Sequence, residues 1–390
     1  MNRFRSFVRK LGIDVQRYNA KHLRVASVSL KPNTPEVRGH ALLAYRLKPF
    51  LLRPGEPVPA SHTNFAETVL MAEVLCELGF EVDVIDFENE IFVPSKCYNL
   101  LVSNRMPFSR YAGLVGEKCV KLAHLDVSHW LFNNSSALAR CCEVREKRGV
   151  ALNSYRHIEE NRAIEDCDSA VMLGNAFTAA TYNYSGKSVR TIPVPVVHTY
   201  SKPEKDYDRI RKNFLWFGSR GFVQKGLDLV LEAFRDMPDY NLTVCGPIDR
   251  EKDFEAAFHR ELYETKNIKT AGWVDVRSEQ FRYLAGNHIG LVYPSCAEGQ
   301  AGAVVVCMHA GMVPIASVQS GVDLRPEYGI SLDELSVSEI KSKVMALSAV
   351  APEKLEEMSL GAWQHAQRYH TGNHYKTAYR EIVEKVLAER

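Results

Sequence analysis

Phe214-Leu-Trp-Phe-Gly-Ser-Arg-Gly-Phe-Val-Gln-Lys-Gly-Leu-Asp-Leu, residues 214–229, is the stretch from which the fold can be read. Its first four residues form the short apolar run of a buried strand, Gly218 and Gly221 punctuate a loop, and Lys225-Gly226 opens a helical stretch predicted over 225–236. The succession repeats downstream. Strands are predicted at 241–245, 268–271, 288–293 and 313–317, with helices at 251–264, 277–285 and 300–310 between them. Upstream, strands are predicted at 24–30, 81–87, 98–103, 120–124, 169–173 and 190–194, with a helix at 64–78 and an irregular Pro- and Gly-containing stretch between the first strand and about residue 60. Strands alternating with helices specify a mostly parallel sheet covered on both faces. The segment 193–212 carries three prolines and a dense set of charges and reads as a linker. The expectation is therefore an α/β protein of two doubly wound, Rossmann-like domains facing a central cleft, residues 22–200 and 201–370, ending in a helix at 371–390. The tail over 335–349, 352–369 and 374–389 reads as helical.

Composition narrows the function. With 390 residues, 46% hydrophobic and 25% charged, the chain has an ordinary globular balance. Forty-nine Lys plus Arg against forty-seven Asp plus Glu leaves a formal charge of +2, too even for a nucleic-acid binder. No apolar run approaches the ~18 residues of a spanning helix, and the N-terminus lacks the apolar core of a secretory signal, so a cytoplasmic protein is expected. The nine cysteines show no Cys-x-x-Cys spacing, which argues against a metal site or disulfide framework and for reduced thiols. Residues 1–21 place Phe4, Phe7, Val8 and Leu11 at helical spacing among Arg3, Arg5, Arg9 and Lys10. Two readings of this basic amphipathic helix stand side by side: packing on the adjacent domain, or docking of residues 1–18 on an anionic membrane surface, which would make the protein peripheral.

In parallel sheets ligands bind beyond the carboxyl ends of strands, and four segments there carry candidate chemistry. In the loop 216–226, Gly218 permits close backbone approach, and Arg220, Lys225 and the helix start suit an anion; a turn with a solvated lysine is the alternative. It is no Walker loop, because Gly-Leu follows Lys225. In Tyr293-Pro-Ser-Cys-Ala-Glu-Gly-Gln-Ala-Gly, Glu298, Gly299 and Gln300 stand before an apolar helix. Glu298 either caps that helix or faces a cleft as an acceptor for sugar hydroxyls. In Lys121-Leu-Ala-His-Leu-Asp-Val-Ser-His-Trp, the strand ends at His124, with Asp126 and His129 following; a helix N-cap with structural histidines is the alternative. In Pro59-Ala-Ser-His-Thr-Asn-Phe-Ala-Glu-Thr, His62 and Asn64 open the first long helix, where Thr63 or Asn64 could equally be an N-cap with Glu67 as capping-box partner.

Taken in order, Gly218…Lys225-Gly-Leu-Asp-Leu…Glu232-Ala-Phe, Leu242-Thr-Val-Cys-Gly246, Ala271-Gly272-Trp-Val, Pro294-Ser-x-x-Glu298-Gly299 and Gly311-x-x-Pro-Ile-Ala-Ser317 resemble the donor-binding half of group 1 glycosyltransferases over about 213–323. That resemblance implies retaining enzymes of GT-B type, moving a sugar from a nucleotide diphosphate sugar to a saccharide or lipid-linked acceptor, with no metal and no cofactor beyond that co-substrate. It implies Lys225 and Arg220 on the donor phosphates, Gly218, Gly272, Gly299 and Gln300 in the donor site, Glu298 on the donor sugar, His124 near the reacting centre, and His62, Asn64, Asp126 and His129 toward the cleft or acceptor. Two positions depart from the pattern. The family's Gly-Arg pair is Gly218-Ser219-Arg220 here, and the family's second Glu, which holds the ribose, falls at Val306. A valine cannot accept the ribose hydroxyls, so a nucleotide-sugar-binding pseudoenzyme or partner subunit of a glycan assembly complex, and a GT-B-fold sugar-nucleotide epimerase, stand as alternatives.

Overall fold

The structure, a computed structural model, describes residues 27–60, 62–196 and 198–389. The amphipathic helix expected over 1–21 lies outside the described residues. Two sheets organise the rest. The N-terminal sheet contains β1 (Val28–Leu30), β2 (Gly39–Tyr45), β3 (Phe80–Asp86), β4 (Leu100–Ser103), β5 (Val120–Leu125), β6 (Ser169–Leu173) and β7 (Ser188–Ile192) in the order β1-β3-β2-β4-β5-β6-β7. Only β1 runs antiparallel; β2 to β7 are parallel. The C-terminal sheet contains β8 (Asn213–Phe217), β9 (Asn241–Cys245), β10 (Ile268–Gly272), β11 (Gly290–Tyr293), β12 (Val313–Ser317) and β13 (Ile330–Leu332), all parallel, in the order β10-β9-β8-β11-β12-β13. That second order is the doubly wound 3-2-1-4-5-6 arrangement, whose switch point falls between β8 and β11. In the first sheet the corresponding reversal falls between β2 and β4.

The central strand β2 overturns the expectation of an irregular stretch up to residue 60. Ala41 to Ala44 are completely buried, and β2 pairs with both β3 and β4. A buried strand needs only a short apolar run, and the prolines and glycines flanking this one belong to its connections. The helix expected at 251–264 is two short helices, Lys252–Ala257 and His259–Tyr263, joined at Phe258, which stacks on Phe254 with centroids 4.6 Å apart.

Each domain sends a helix onto the other. Helix Trp130–Arg148 follows β5, yet Cys141 and Val144 pack into the core beneath β8 and β9. Arg140 on the same helix meets Asp228 at 2.6 Å, both buried. In return, helix Gly372–Ala388 lays Tyr375, Tyr379 and Val383 into the N-terminal core, and Lys376 reaches Glu77 at 2.7 Å. These exchanges hold the two strand ends face to face, so the switch points of both sheets open into one cleft. Among the described residues no helix is long and apolar enough to cross a membrane.

Candidate functional site between the two sheets

The C-terminal wall is built where the loops after β8 and β11 meet. Gly226 takes φ +69° at the start of helix Leu227–Arg235, and a β-carbon there would collide with the carbonyl of Pro294. Glycine is needed because the two loops touch at this point. That contact brings Lys225 to Glu298 across the switch point, Nζ to Oε1 at 2.8 Å, with both residues buried. The Tyr293 hydroxyl donates to the same oxygen at 3.0 Å. The second carboxylate oxygen accepts a hydrogen bond from Arg156 Nη1 at 3.0 Å, which arrives from the N-terminal half. Burial alone would raise the Glu298 carboxyl, but Lys225 and Arg156 outweigh it and hold it down to about 2. Burial conversely pulls the Lys225 ammonium below the ordinary lysine range, against the attraction of Glu298. The arrangement is an anion fixed between two cations, all facing the cleft.

The opposite wall comes from the ends of β2, β4 and β5. Tyr45, the last residue of β2, donates its hydroxyl to Glu67 Oε2 at 2.9 Å. Glu67 sits on helix Asn64–Glu77, which begins just after His62. His124, near the end of β5, packs edge-on against the Tyr45 ring at 4.9 Å and lies 3.7 Å from the same carboxylate. Beyond β4, Arg105 has φ +50°, a left-handed conformation that costs a non-glycine residue on the order of 1 kcal/mol or more. A fork of two hydrogen bonds to Asp126, 3.0 and 2.7 Å long, fixes its guanidinium. Burial opposes ionisation of Asp126, yet Arg105 keeps its carboxyl below the usual aspartate range. The space between the walls amounts to about 1380 Å³ including its open mouth. Among the described residues no group of three or more His, Cys, Asp or Glu could hold a metal ion.

The arrangement of two sheets about a shared cleft can be compared with solved structures. Sucrose-phosphate synthase from Thermosynechococcus elongatus matches with a TM-score of 0.65 at 12% identity, covering 90% of this chain and 100% of that one. Anabaena HepE in complex with UDP-glucose matches at 0.58 and 11% identity, covering 89% and 99%. The fold is that of the GT-B glycosyltransferases. TarM matches at 0.54 and 12% identity, covering 75% of this chain, which spans about half of TarM's length (55%). No family model and no curated protein sequence matches the chain.

Within this GT-B cleft, the sequence candidates separate into wall and support. Lys225, Glu298, Gly218, Gln300, His62, Asn64 and Asp126 line it. Gln300 also bridges the domains, accepting from Val194 N at 2.6 Å and donating to Gly321 O at 2.9 Å. His124, 1% exposed, stands one layer behind Tyr45. Gly299 is an interdomain contact: a β-carbon there would collide with the carbonyls of Asp126 and Leu173, and Ser128 N donates to Glu298 O at 3.1 Å. Gly272 ends β10 with φ +73°, just before the wall residue Trp273. Arg220 lies off the wall with its side chain 65% exposed, 4.0 Å from Glu251, whose carboxylate accepts from the backbone of Gly221 and Phe222. His129 caps helix Trp130–Arg148 and meets the Tyr184 hydroxyl at 2.9 Å, away from the wall. Sequence reading did not single out Arg156, Arg105, Tyr45 or Glu67 as cleft residues. Tyr45 ends β2 and Arg105 follows β4, positional signals of which the first depended on recognising β2. Arg156 lies in an irregular segment that carries no such signal.

Proposed function

We propose that the protein transfers a sugar from a nucleotide diphosphate sugar to a saccharide or lipid-linked saccharide, with retention, in polysaccharide or glycolipid synthesis. The observation that carries this reading is the convergence of Lys225 and Arg156 on Glu298 at the switch point of a GT-B cleft. A departing nucleoside diphosphate develops negative charge on its β-phosphate, and preorganised cations in a site shielded from water stabilise that charge without a metal. Lys225 and Arg156 stand ready for that role. As the diphosphate draws them away, the Glu298 carboxylate is released to accept hydroxyls of the donor sugar. The complexes of HepE with UDP-glucose and of S. aureus TarM with UDP, fondaparinux and alpha-GlcNAc-glycerol support a nucleotide sugar and a saccharide as the two substrates. Residues 1–18 would then hold the enzyme against an anionic inner membrane surface.

Val306 on the cleft wall favours a second reading, a sugar-nucleotide-binding subunit without transfer activity, because the wall offers an apolar side chain at the position the family resemblance gives to a ribose-binding carboxylate. A thermal-shift and calorimetric screen of nucleoside diphosphates and their sugars tests both. A ligand of the native state raises stability by ~2.7 kcal/mol at a hundredfold excess over Kd. Stabilisation by one nucleotide sugar, followed by transfer to an acceptor, is the expected result. Stabilisation without transfer leaves the subunit reading, and no stabilisation by any of them overturns both.

A further inference from the structure

Single exposed apolar side chains are ordinary on a protein surface, whereas several on adjoining elements mark a contact. Four stand together on the N-terminal domain: Ile91, Val93, Met106 and Leu114, each between 51% and 67% exposed. Met106 and Leu114 lie eight residues apart on helix Arg105–Leu114 with Arg110 midway, so the three share a face. The Arg110 guanidinium donates to the carbonyls of Asn89 and Phe92 at 3.3 and 3.2 Å, which sets that face against the loop after β3.

The loop is held from beneath. Asn89 Oδ1 accepts from Ile91 N and Phe92 N, both at 2.9 Å, and the Tyr111 hydroxyl donates to Asn89 O at 2.7 Å. Phe92 is buried against the Tyr111 ring, with centroids 6.2 Å apart. Ile91 and Val93, on either side of this plug, are thereby fixed facing outward.

The chain itself supplies a matching occupant. β1 runs antiparallel to β3 with Val28 opposite Val84, and the Ser29 hydroxyl and the Lys96 ammonium meet on the Asp83 carboxylate at 2.6 and 3.0 Å. The residues preceding Ser27 therefore join the fold beside the end of this loop. Extended, residues 15–26 reach ~40 Å, well beyond the ~15 Å length of helix Arg105–Leu114. Residues 1–14 then carry the complement of the patch. Phe4, Phe7, Val8 and Leu11 recur at helical spacing among Arg3, Arg5, Arg9 and Lys10, while Glu88 and Glu90 stand exposed just before Ile91. Those two carboxylates attract a basic stretch and disfavour direct contact of the patch with an anionic lipid surface.

We propose that Ile91, Val93, Met106 and Leu114 form the docking site of the chain's own residues 4–11, which cover it in solution. The apolar side chains of that stretch cannot lie on the patch and in a bilayer at once, so an anionic membrane surface competes with the patch for them. Met106 adjoins the cleft-wall residue Arg105, which places the exchange at the lip of the cleft. The docking is independent of the sugar-transfer reading and goes beyond the membrane role of residues 1–18.

The test uses the full chain with p-benzoylphenylalanine in place of Phe7, photo-crosslinked in solution and mapped by mass spectrometry. It is repeated with Ile91→Ser and Val93→Ser together, two exposed positions whose change leaves the core untouched. The expected crosslinks join position 7 to residues 88–95 or 105–118 of the same chain, and the serine variant loses most of them. Crosslinks that fall elsewhere, that persist in the variant, or that join two chains with a yield rising with concentration overturn the proposal. The wild type and the serine variant, both with Phe7 restored, are then sedimented with vesicles of phosphatidylglycerol and phosphatidylcholine. Docking lowers the fraction of chains free to bind lipid, so the variant should bind vesicles about tenfold more tightly than the wild type. Weaker binding by the variant would put the patch itself on the lipid and overturn the proposal, as would equal affinities.

Discussion

Replacing Lys225 by Met removes the ammonium and keeps the approximate volume of the side chain, so it tests the ion pair at the centre of the cleft without opening a cavity. Lys225 Nζ lies 2.8 Å from Glu298 Oε1, and the two side chains are only 5% and 8% exposed. Breaking a buried pair from one side costs ~3–5 kcal/mol, most of it from the charge left behind. Glu298 retains Arg156 at 3.0 Å and the Tyr293 hydroxyl at 3.0 Å, which places Lys225→Met near ~3 kcal/mol. Glu298→Gln leaves the ammonium buried beside Arg156 and should cost a similar amount. The double variant strands neither charge of the pair and should cost less than the sum of the two single losses, with a coupling energy of ~1.5 kcal/mol or more. Urea unfolding of the four proteins at neutral pH, fitted with a common m-value, gives the cycle. Single losses that add to the double within ~0.5 kcal/mol would refute the reasoning, because they would show that the two charges do not depend on each other.

Gly299→Ala should force the domains apart, since a β-carbon meets the carbonyls of Asp126 and Leu173; small-angle scattering should show a larger radius of gyration with unchanged circular dichroism, and an unchanged radius would count against the contact. Burial lowers His288 and His309 to about 4 and His370 to about 3, with backbone carbonyls partly opposing the shift in each. All three are uncharged in the fold, so below about pH 6.5 the unfolded chain binds protons that the native state refuses. Stability should be fully present above that pH and fall as pH drops toward 4, by on the order of 3 kcal/mol per histidine; a urea midpoint flat from about pH 7 to about pH 4.5 would contradict this. Deleting residues 1–18 should abolish sedimentation with anionic liposomes and spare nucleotide binding, whereas no sedimentation of the full chain would leave domain packing as their role.

Much of the architecture was legible because local patterns report it directly. The runs at 169–173 and 313–317 are strands with those limits, and helix 352–369 has the expected ends. The Lys225-Gly226 and Glu298-Gly299 motifs fall on the wall or directly behind it, since position after a strand fixes which edge of the sheet a loop occupies. Strand β2 was missed because the prolines and glycines of its flanking connections made the whole stretch read as irregular, and Tyr45 was missed with it.

The sequence by itself determined that two mostly parallel sheets form and which loops carry basic, acidic and small residues, since strand and helix periodicity and turn residues act over a few neighbours. Only the tertiary structure decided which of those residues meet. Arg156 and Glu298 are 142 positions apart and Arg140 and Asp228 are 88 apart, yet each pair joins the two domains. Arg220 turns away from the wall that Lys225, five residues on, faces, and His124 stands behind Tyr45 instead of in the open. Such pairings depend on how two domains pack, and the free energy that fixes them is spread over the whole interface, so no short stretch of sequence records it.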